Sequence, residues 1–197
     1  MISASSPKLL LASASPRRLE LLQQINIAPD IVLAADIDET QHPKEKPENL
    51  ALRLSQEKAK AFRQEYPDHF ILAADTVVAC GRMILDKAEN AKQAEQFIHK
   101  LSGRRHQVHG GITLITPEGK ELTRHCQTMV QFKPLSPQDI INYINSSEWE
   151  GKAGGYAIQG FAGSFVKYMS GSYTNVVGLS LYDTMKILES GGYNCQK

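Results

Sequence analysis

The chain reads as an α/β or α+β domain built on one long, twisted sheet. Three features carry that reading. Strand-like and helix-like segments alternate from Lys8 to Leu101, and Phe70 to Cys80 (FILAADTVVAC) is an almost unbroken apolar run rich in β-formers. Two further strand runs between Gln107 and Phe132 meet at Thr116-Pro117-Glu118-Gly119-Lys120. That junction is a turn sequence, and the unbroken run is what a central strand buried on both faces requires.

The elements follow in order. Lys8 to Ala12 (KLLLA) predicts a short buried strand. Ser15-Pro16 then opens a helix, with Ser15 as cap, Pro16 in the first turn and Leu19, Leu22 and Ile25 at helical spacing. Ile31 to Ala35 is a second apolar run, and the polar stretch after it, with Pro43 and Pro47, reads as a mobile loop. Glu48 to Tyr66 predicts a long helix stopped by Pro67. Lys87 comes after a hairpin-like turn at Gly81, and Asn90 to Leu101 is a capped helix ending at Gly103. Ser136-Pro137-Gln138-Asp139 starts another helix, with cap and proline in their preferred places. Glu148 to Gly163 is glycine-rich and loop-like, Ser164 to Ser170 reads as a strand, and Leu179 to Ser190 as a last helix closed by Gly191-Gly192.

Composition narrows the function classes. A length of 197 residues fits one domain over residues 1–197, since a domain takes roughly 100–200 residues. With 42% hydrophobic and 22% charged residues the chain is not of disordered type. The formal net charge of +1 excludes a whole-protein electrostatic footprint for a nucleic acid polymer, so recognition of a polyanion must be local. Cys80, Cys126 and Cys195 are odd in number and lack CxxC spacing, which fits a reducing cytoplasm better than a disulfide framework or structural zinc. The segment from Met1 to Arg18 lacks a secretory h-region, and no apolar stretch nears the roughly 18 residues a spanning helix needs. A soluble, cytoplasmic protein without a membrane partner is the expectation.

Several residues have the means for chemistry. In Ser13-Ala14-Ser15-Pro16-Arg17-Arg18, small residues and a helix N-terminus point amides outward. Two arginines there work against the helix dipole, each costing on the order of 0.3–1 kcal/mol unless an anion intervenes. A phosphate site is one reading; a surface helix whose arginines pair with nearby acids is the other. Asp75, within apolar β residues, needs a lysine or arginine partner, a proton or a metal ion to offset desolvation. It is therefore either a structural ion pair or a functional carboxylate, metal-bound or a general base.

Asp36-Ile37-Asp38-Glu39 adds acid and gains meaning only if Glu39 reaches the pocket of Asp75, where two carboxylates would suit Mg²⁺ or Mn²⁺. Lys58 and Lys60, on the long helix, and Lys87 each read singly as facing water. Lys152-Ala153-Gly154-Gly155-Tyr156-Ala157-Ile158-Gln159-Gly160 brings backbone close to a neighbour, and the Gln159 amide has the groups to read a nucleobase edge. Neither GxGxxG nor GxxxxGK[ST] is present. His106 and His109, three apart in a strand, point to opposite faces and form no metal pair.

Taken together, Ser13-x-Ser15-Pro16-Arg17-Arg18, Asp38-Glu39, Ala74-Asp75-Thr76-Val77-Val78, Leu101-Ser102-Gly103-Arg104, Lys152 to Gly160 and Gly171-Ser172-Tyr173-Thr174-Asn175-Val176-Val177-Gly178-Leu179 resemble the Maf family of nucleoside triphosphate pyrophosphatases. The blocks lie in the family's order from about residue 8 to about residue 190, and Gly-Gly-Tyr-Ala-Ile-Gln-Gly resembles the dTTP/UTP branch. The resemblance implies an elongated mixed sheet flanked by helices, like inosine triphosphatase, with two lobes and a central cleft.

It further implies metal-dependent hydrolysis between the α and β phosphates, giving a nucleoside monophosphate and pyrophosphate, and a homodimer. By matching motifs, Asp75 would be proton acceptor or metal ligand, and Glu39 a second metal-site residue. Ser13, Arg17, Arg18, Lys58 and Lys87 would hold the triphosphate, with Arg17, Thr76 and Gln159 tuning base selection. Ala88 after Lys87, Val108-His109-Gly110-Gly111, and Ser180 depart from the family's usual residues. A pyrophosphatase for a modified purine triphosphate such as 7-methyl-GTP, and a non-hydrolytic nucleotide-binding regulator of septum formation, are the alternatives.

Overall fold

A computed structural model describes residues 8–195; part of the leader reading, residues 1–7, lies outside the described residues. The centre of the molecule is β3 (His69–Cys80), the apolar run recognised in the sequence. It pairs in parallel with β1 (Lys8–Ala12) and antiparallel with β5 (Arg105–Ile115), so its burial on both faces follows from its place mid-sheet. Outside β1 lies β2 (Ile31–Leu33); outside β5 lie β6 (Glu121–Phe132) and β7 (Val166–Ser170). The short β4 (Met83–Leu85) hairpins back onto β3 at Val78–Cys80 and completes a mixed sheet of seven strands among the described residues.

The helices cover this sheet in two groups. At one end α1 (Pro16–Gln24) and α6 (Leu181–Gly191) enclose a core of Leu9, Leu22, Phe70, Leu114 and Ile187. At the other, α3 (Ala91–Leu101), α4 (Pro137–Asn145) and a 3-10 turn at Phe161–Phe165 enclose a core of Ile98, Phe132, Tyr143, Trp149 and Phe165. These two ends are the lobes expected from the resemblance. On the opposite face α2 (Pro47–Lys60) packs Leu50, Ala51 and Leu54 against Val77.

Local sequence signals held where caps decide. Asn90 caps α3 by accepting from the Gln93 amide, Ser136 and Asp139 form a reciprocal capping box, and Gly192 closes α6 at φ 84°. Three readings need correction. Ser15 occupies the cap position of α1 but its hydroxyl makes no cap bond; the Ser15 amide instead donates to Ser13 Oγ. α2 stops at Lys60 and residues 61–65 are turns: the Phe62 and Arg63 amides bond carbonyls three residues back rather than four, so the helix has tightened and ended well before Pro67. The strand at Ser164–Ser170 starts only at Val166. The helix α5 (Tyr173–Val177) is a single short segment the sequence pattern left unread.

Gly110 and Gly111 have a packing reason. A Cβ on Gly111 would sit 2.0 Å from the Ala51 carbonyl oxygen, and one on Gly110 2.0 Å from Asn175 Oδ1. The first glycine position therefore admits the buried Asn175, which bonds the Val108 carbonyl, and the second lets α2 lie directly on β5.

Candidate functional site

The site arises from a gap in one edge of β3. On that edge β1 ends at Ala12, opposite Ala73, and β4 covers β3 only from Val78 onward, where Leu85 stands opposite it. Between them Asp75 and Thr76 pair with β5 alone among the described residues, so side chains from both faces of the strand reach one cleft at the carboxyl end of β1. The cleft measures about 940 Å³, the upper part of the range for small-molecule sites, about 300–1,000 Å³. Ser13, Arg17, Arg18, Glu39, Lys58, Asp75, Thr76, Lys87 and Gln159 all line it, so the residues singled out in the sequence converge from six separate segments.

Asp75 has a cationic partner. Lys58 Nζ donates to Asp75 Oδ1 at 2.6 Å and stands 2.6 Å from Glu39 Oε1; Lys87 Nζ reaches Glu39 Oε2 at 3.5 Å. Both Lys58 and Asp75 side chains are only 10% exposed. The buried carboxylate is thus compensated as physics requires, but by an ammonium that itself faces the cleft and is shared with a second acid. Lys58 points inward because it falls four residues after Leu54 and eight after Leu50 on the buried face of α2. That periodicity was the signal by which the sequence could have separated Lys58 from Lys60, which pairs on the surface with Glu121 at 3.0 Å. Burial pushes the Glu39 carboxyl up, but bonding to Lys58 and the charges of Lys58 and Lys87 outweigh it and hold it below its usual range.

The acidic run divides. Glu39 enters the cleft, whereas Asp38 turns to accept from the Thr40 amide at 2.9 Å on the surface. The paired arginines divide as well. Arg18 is buried and donates to Ser13 Oγ at 3.0 Å, the Gly178 carbonyl at 2.9 Å and Thr76 Oγ1 at 3.2 Å. It braces β1, β3 and the turn after α5 with neutral acceptors. Arg17 is half-buried on the cleft wall and, among the described residues, has no hydrogen-bond partner. Burial pushes both guanidinium groups below their ordinary value; Glu20 opposes this for Arg17, and Asp75 and Glu39 for Arg18. Gln159 is exposed at the cleft rim with its amide unbonded among the described residues.

For a metal ion the available donors are the Glu39 and Asp75 carboxylates, which converge on one cationic point now held by the Lys58 ammonium. No group of three or more His, Cys, Asp and Glu able to hold a metal occurs among the described residues. Two hard oxygen donors and a pre-existing preference for positive charge fit Mg²⁺ or Mn²⁺ completed by phosphate oxygens and water. His106 and His109 face apart: His106 Nε2 meets the Tyr156 hydroxyl at 2.8 Å, and His109 Nδ1 meets His125 Nε2 at 3.1 Å. Cys80, Cys126 and Cys195 are free thiols, and no helix among the described residues is long and apolar enough to cross a membrane.

Known proteins resemble the chain throughout. It is 56% identical to a dTTP/UTP pyrophosphatase of Mesorhizobium japonicum, covering 94% of this chain and 92% of that protein. It is 51% identical to a dTTP/UTP pyrophosphatase of Agrobacterium fabrum, covering 96% and 94% respectively. Among solved structures, a HAM1 protein from Coxiella burnetii is 17% identical with a TM-score of 0.43, over 64% of this chain and 73% of that one. The family model described as Maf-like protein matches residues 8–191, which include every cleft residue named above, and the chain belongs to that family.

Proposed function

We propose that the protein hydrolyses dTTP and UTP to the nucleoside monophosphate and pyrophosphate, in the presence of a divalent cation. The observation that carries this reading is the meeting of Asp75, Lys58 and Glu39 where β3 is uncovered, inside a cleft lined by further cations. Relatives named dTTP/UTP pyrophosphatase, at 51–56% identity over nearly the whole chain, support the substrate class.

In this reading residues 1–197 act as one unit with one site. Lys58, Lys87 and Arg17 neutralise the phosphates, while buried Arg18 adds fixed positive potential and holds Ser13 and Thr76 in place. Asp75 orients the attacking water and accepts its proton. The water oxygen bonds the α-phosphorus, the bond from that phosphorus to the bridging oxygen breaks, and the electron pair leaves with pyrophosphate. Glu39 and Asp75 would hold the cation, whose chemistry is Lewis-acid stabilisation of phosphate charge. The unbonded amide of Gln159 and the guanidinium of Arg17 supply the contacts that distinguish the base. The Thr76 hydroxyl is already engaged with Arg18 and the Gly178 carbonyl, so its share in base selection is to fix Arg18.

A panel of triphosphates with Mg²⁺ or Mn²⁺ tests the reading by pyrophosphate release. We expect dTTP and UTP to be turned over in preference to 7-methyl-GTP and the standard purine nucleotides. Preference for a modified purine would overturn the substrate assignment, and tight binding without pyrophosphate would make the protein a nucleotide-binding regulator.

A further inference from the structure

The cations on the cleft wall are not equally partnered. Lys58 and Lys87 share Glu39, and Arg18 is satisfied by Ser13, Thr76 and the Gly178 carbonyl. A fifth cation, Lys152, lines the same cleft, and among the described residues its ammonium donates only to the carbonyl of Glu150, at 2.9 Å. Like Arg17, it faces no carboxylate at ion-pair distance among the described residues.

The backbone that carries Lys152 is firmly anchored. Ala153, the next residue, bridges antiparallel to Lys87, and the Gly154 amide donates to the carbonyls of Leu85 and Asp86. Gly154, at φ 71°, packs so close to Val78 that a Cβ would meet its Cγ1 at 2.8 Å. A half-buried lysine whose backbone is fixed beside Lys87 by this strap, its ammonium exposed to the cleft with one neutral acceptor among the described residues, is therefore a prepared donor. Burial and the nearby charge of Arg17 both push its pKa down, against the pull of Glu148 and Glu150, so an anion between Lys152 and Arg17 relieves a standing repulsion.

We propose that Lys152 is a phosphate-binding residue of the cleft, its ammonium taking a polyphosphate oxygen from the wall that carries Lys87. This deepens the pyrophosphatase reading by extending the polyphosphate subsite to the strap at 150–155, and rests on that reading for the identity of the substrate. A charge-assisted hydrogen bond to phosphate is among the stronger polar contacts, so its removal should be visible in binding alone.

The test is calorimetric titration of the full chain with inorganic tripolyphosphate, without turnover. Lys152→Gln is expected to weaken binding about tenfold, and Lys152→Arg to stay within about threefold of the parent. Lys167→Gln, which removes an exposed charge outside the cleft lining, should change it less than about twofold. Thermal unfolding should be the same for all three, since among the described residues the Lys152 side chain bonds only a carbonyl two residues away. Lys152→Gln binding within about twofold of the parent, or Lys167→Gln weakening it as much, overturns the proposal. A parent chain that binds tripolyphosphate but releases no pyrophosphate from dTTP removes the pyrophosphatase reading and leaves this one standing.

Discussion

Helix α2 carries two cation–carboxylate clusters five residues apart, and they are built on opposite plans. Arg53 donates through Nε and Nη2 to both oxygens of Glu45, at 2.8 and 2.9 Å, through Nη2 to the Thr40 carbonyl at 3.0 Å, and through Nη1 to Glu57 at 3.1 Å. Its planar fork is fully used, and bonding to Arg53 is the largest cause pulling the Glu45 carboxyl down to about 2. Lys58 is a single point of charge between Glu39 and Asp75, 2.6 Å from each, in an open cleft. The Arg53 cluster closes the segment the sequence marked as a mobile loop; the Lys58 cluster leaves carboxylate oxygens facing a cavity. Tight pairing alone does not mark a functional site: what matters is whether the cation can give way to another.

That contrast breaks most readily at Asp75. Asp75→Asn keeps an oxygen acceptor for Lys58 while removing the proton acceptor, so kcat for dTTP should fall by roughly 10²–10⁴-fold with the fold retained. Steady-state pyrophosphate release and thermal unfolding measure the two halves, and near-normal turnover would make the Lys58–Asp75 pair purely structural. Lys58→Met leaves Asp75 buried beside Glu39 with no ammonium. It should cost on the order of 3 kcal/mol in urea unfolding, at the low end for a buried pair because the cleft admits water, and abolish activity as well.

Arg53→Ala tests the closed cluster. Loosening the segment that presents Glu39 should lower kcat/KM by about three- to tenfold, well short of the Asp75 effect. Its stability cost should also depend on pH in a defined direction. Glu45 titrates near 2 when folded, against an ordinary 4.5, so the stabilisation is complete above about pH 4.5 and is lost as pH falls toward 2. The parent–variant difference in unfolding midpoint should shrink across that window, and a constant difference would show that Glu45 is not the partner that matters. The smallest effect is expected at Lys87, whose side chain is 58% exposed and 3.5 Å from Glu39. Lys87→Ala should leave stability within about 0.5 kcal/mol while raising KM about two- to threefold, which separates substrate contact from structural pairing.

Much of the fold was legible because its signals are local. The apolar run at 70–80 became the central strand, the turn at 116–120 joined β5 and β6 in the longest antiparallel pairing among the described residues, and caps at Asn90 and Ser136 sat where the residue types require. The individual site residues were legible as residue types out of place: a carboxylate among β-formers, arginines at a helix start. What each one touches was not. Adjacent Arg17 and Arg18 look alike in the sequence and both line the cleft, yet Arg18 is a buried brace reaching a carbonyl 160 positions away, while Arg17 is half-buried with no hydrogen-bond partner among the described residues.

The sequence by itself therefore determined which segments become strand or helix, and which side chains project together from any one of them, because periods of 2 and 3.6 residues act within an element. Only the tertiary structure decided that Lys58 compensates Asp75, that Glu39 and not Asp38 joins them, and that β3 lies uncovered between Ala73 and Val78. Those outcomes depend on how far one element extends past another and how closely two backbones approach, as Gly111 permits for α2. Packing between distant segments sets such distances, and no pattern inside a single segment encodes them.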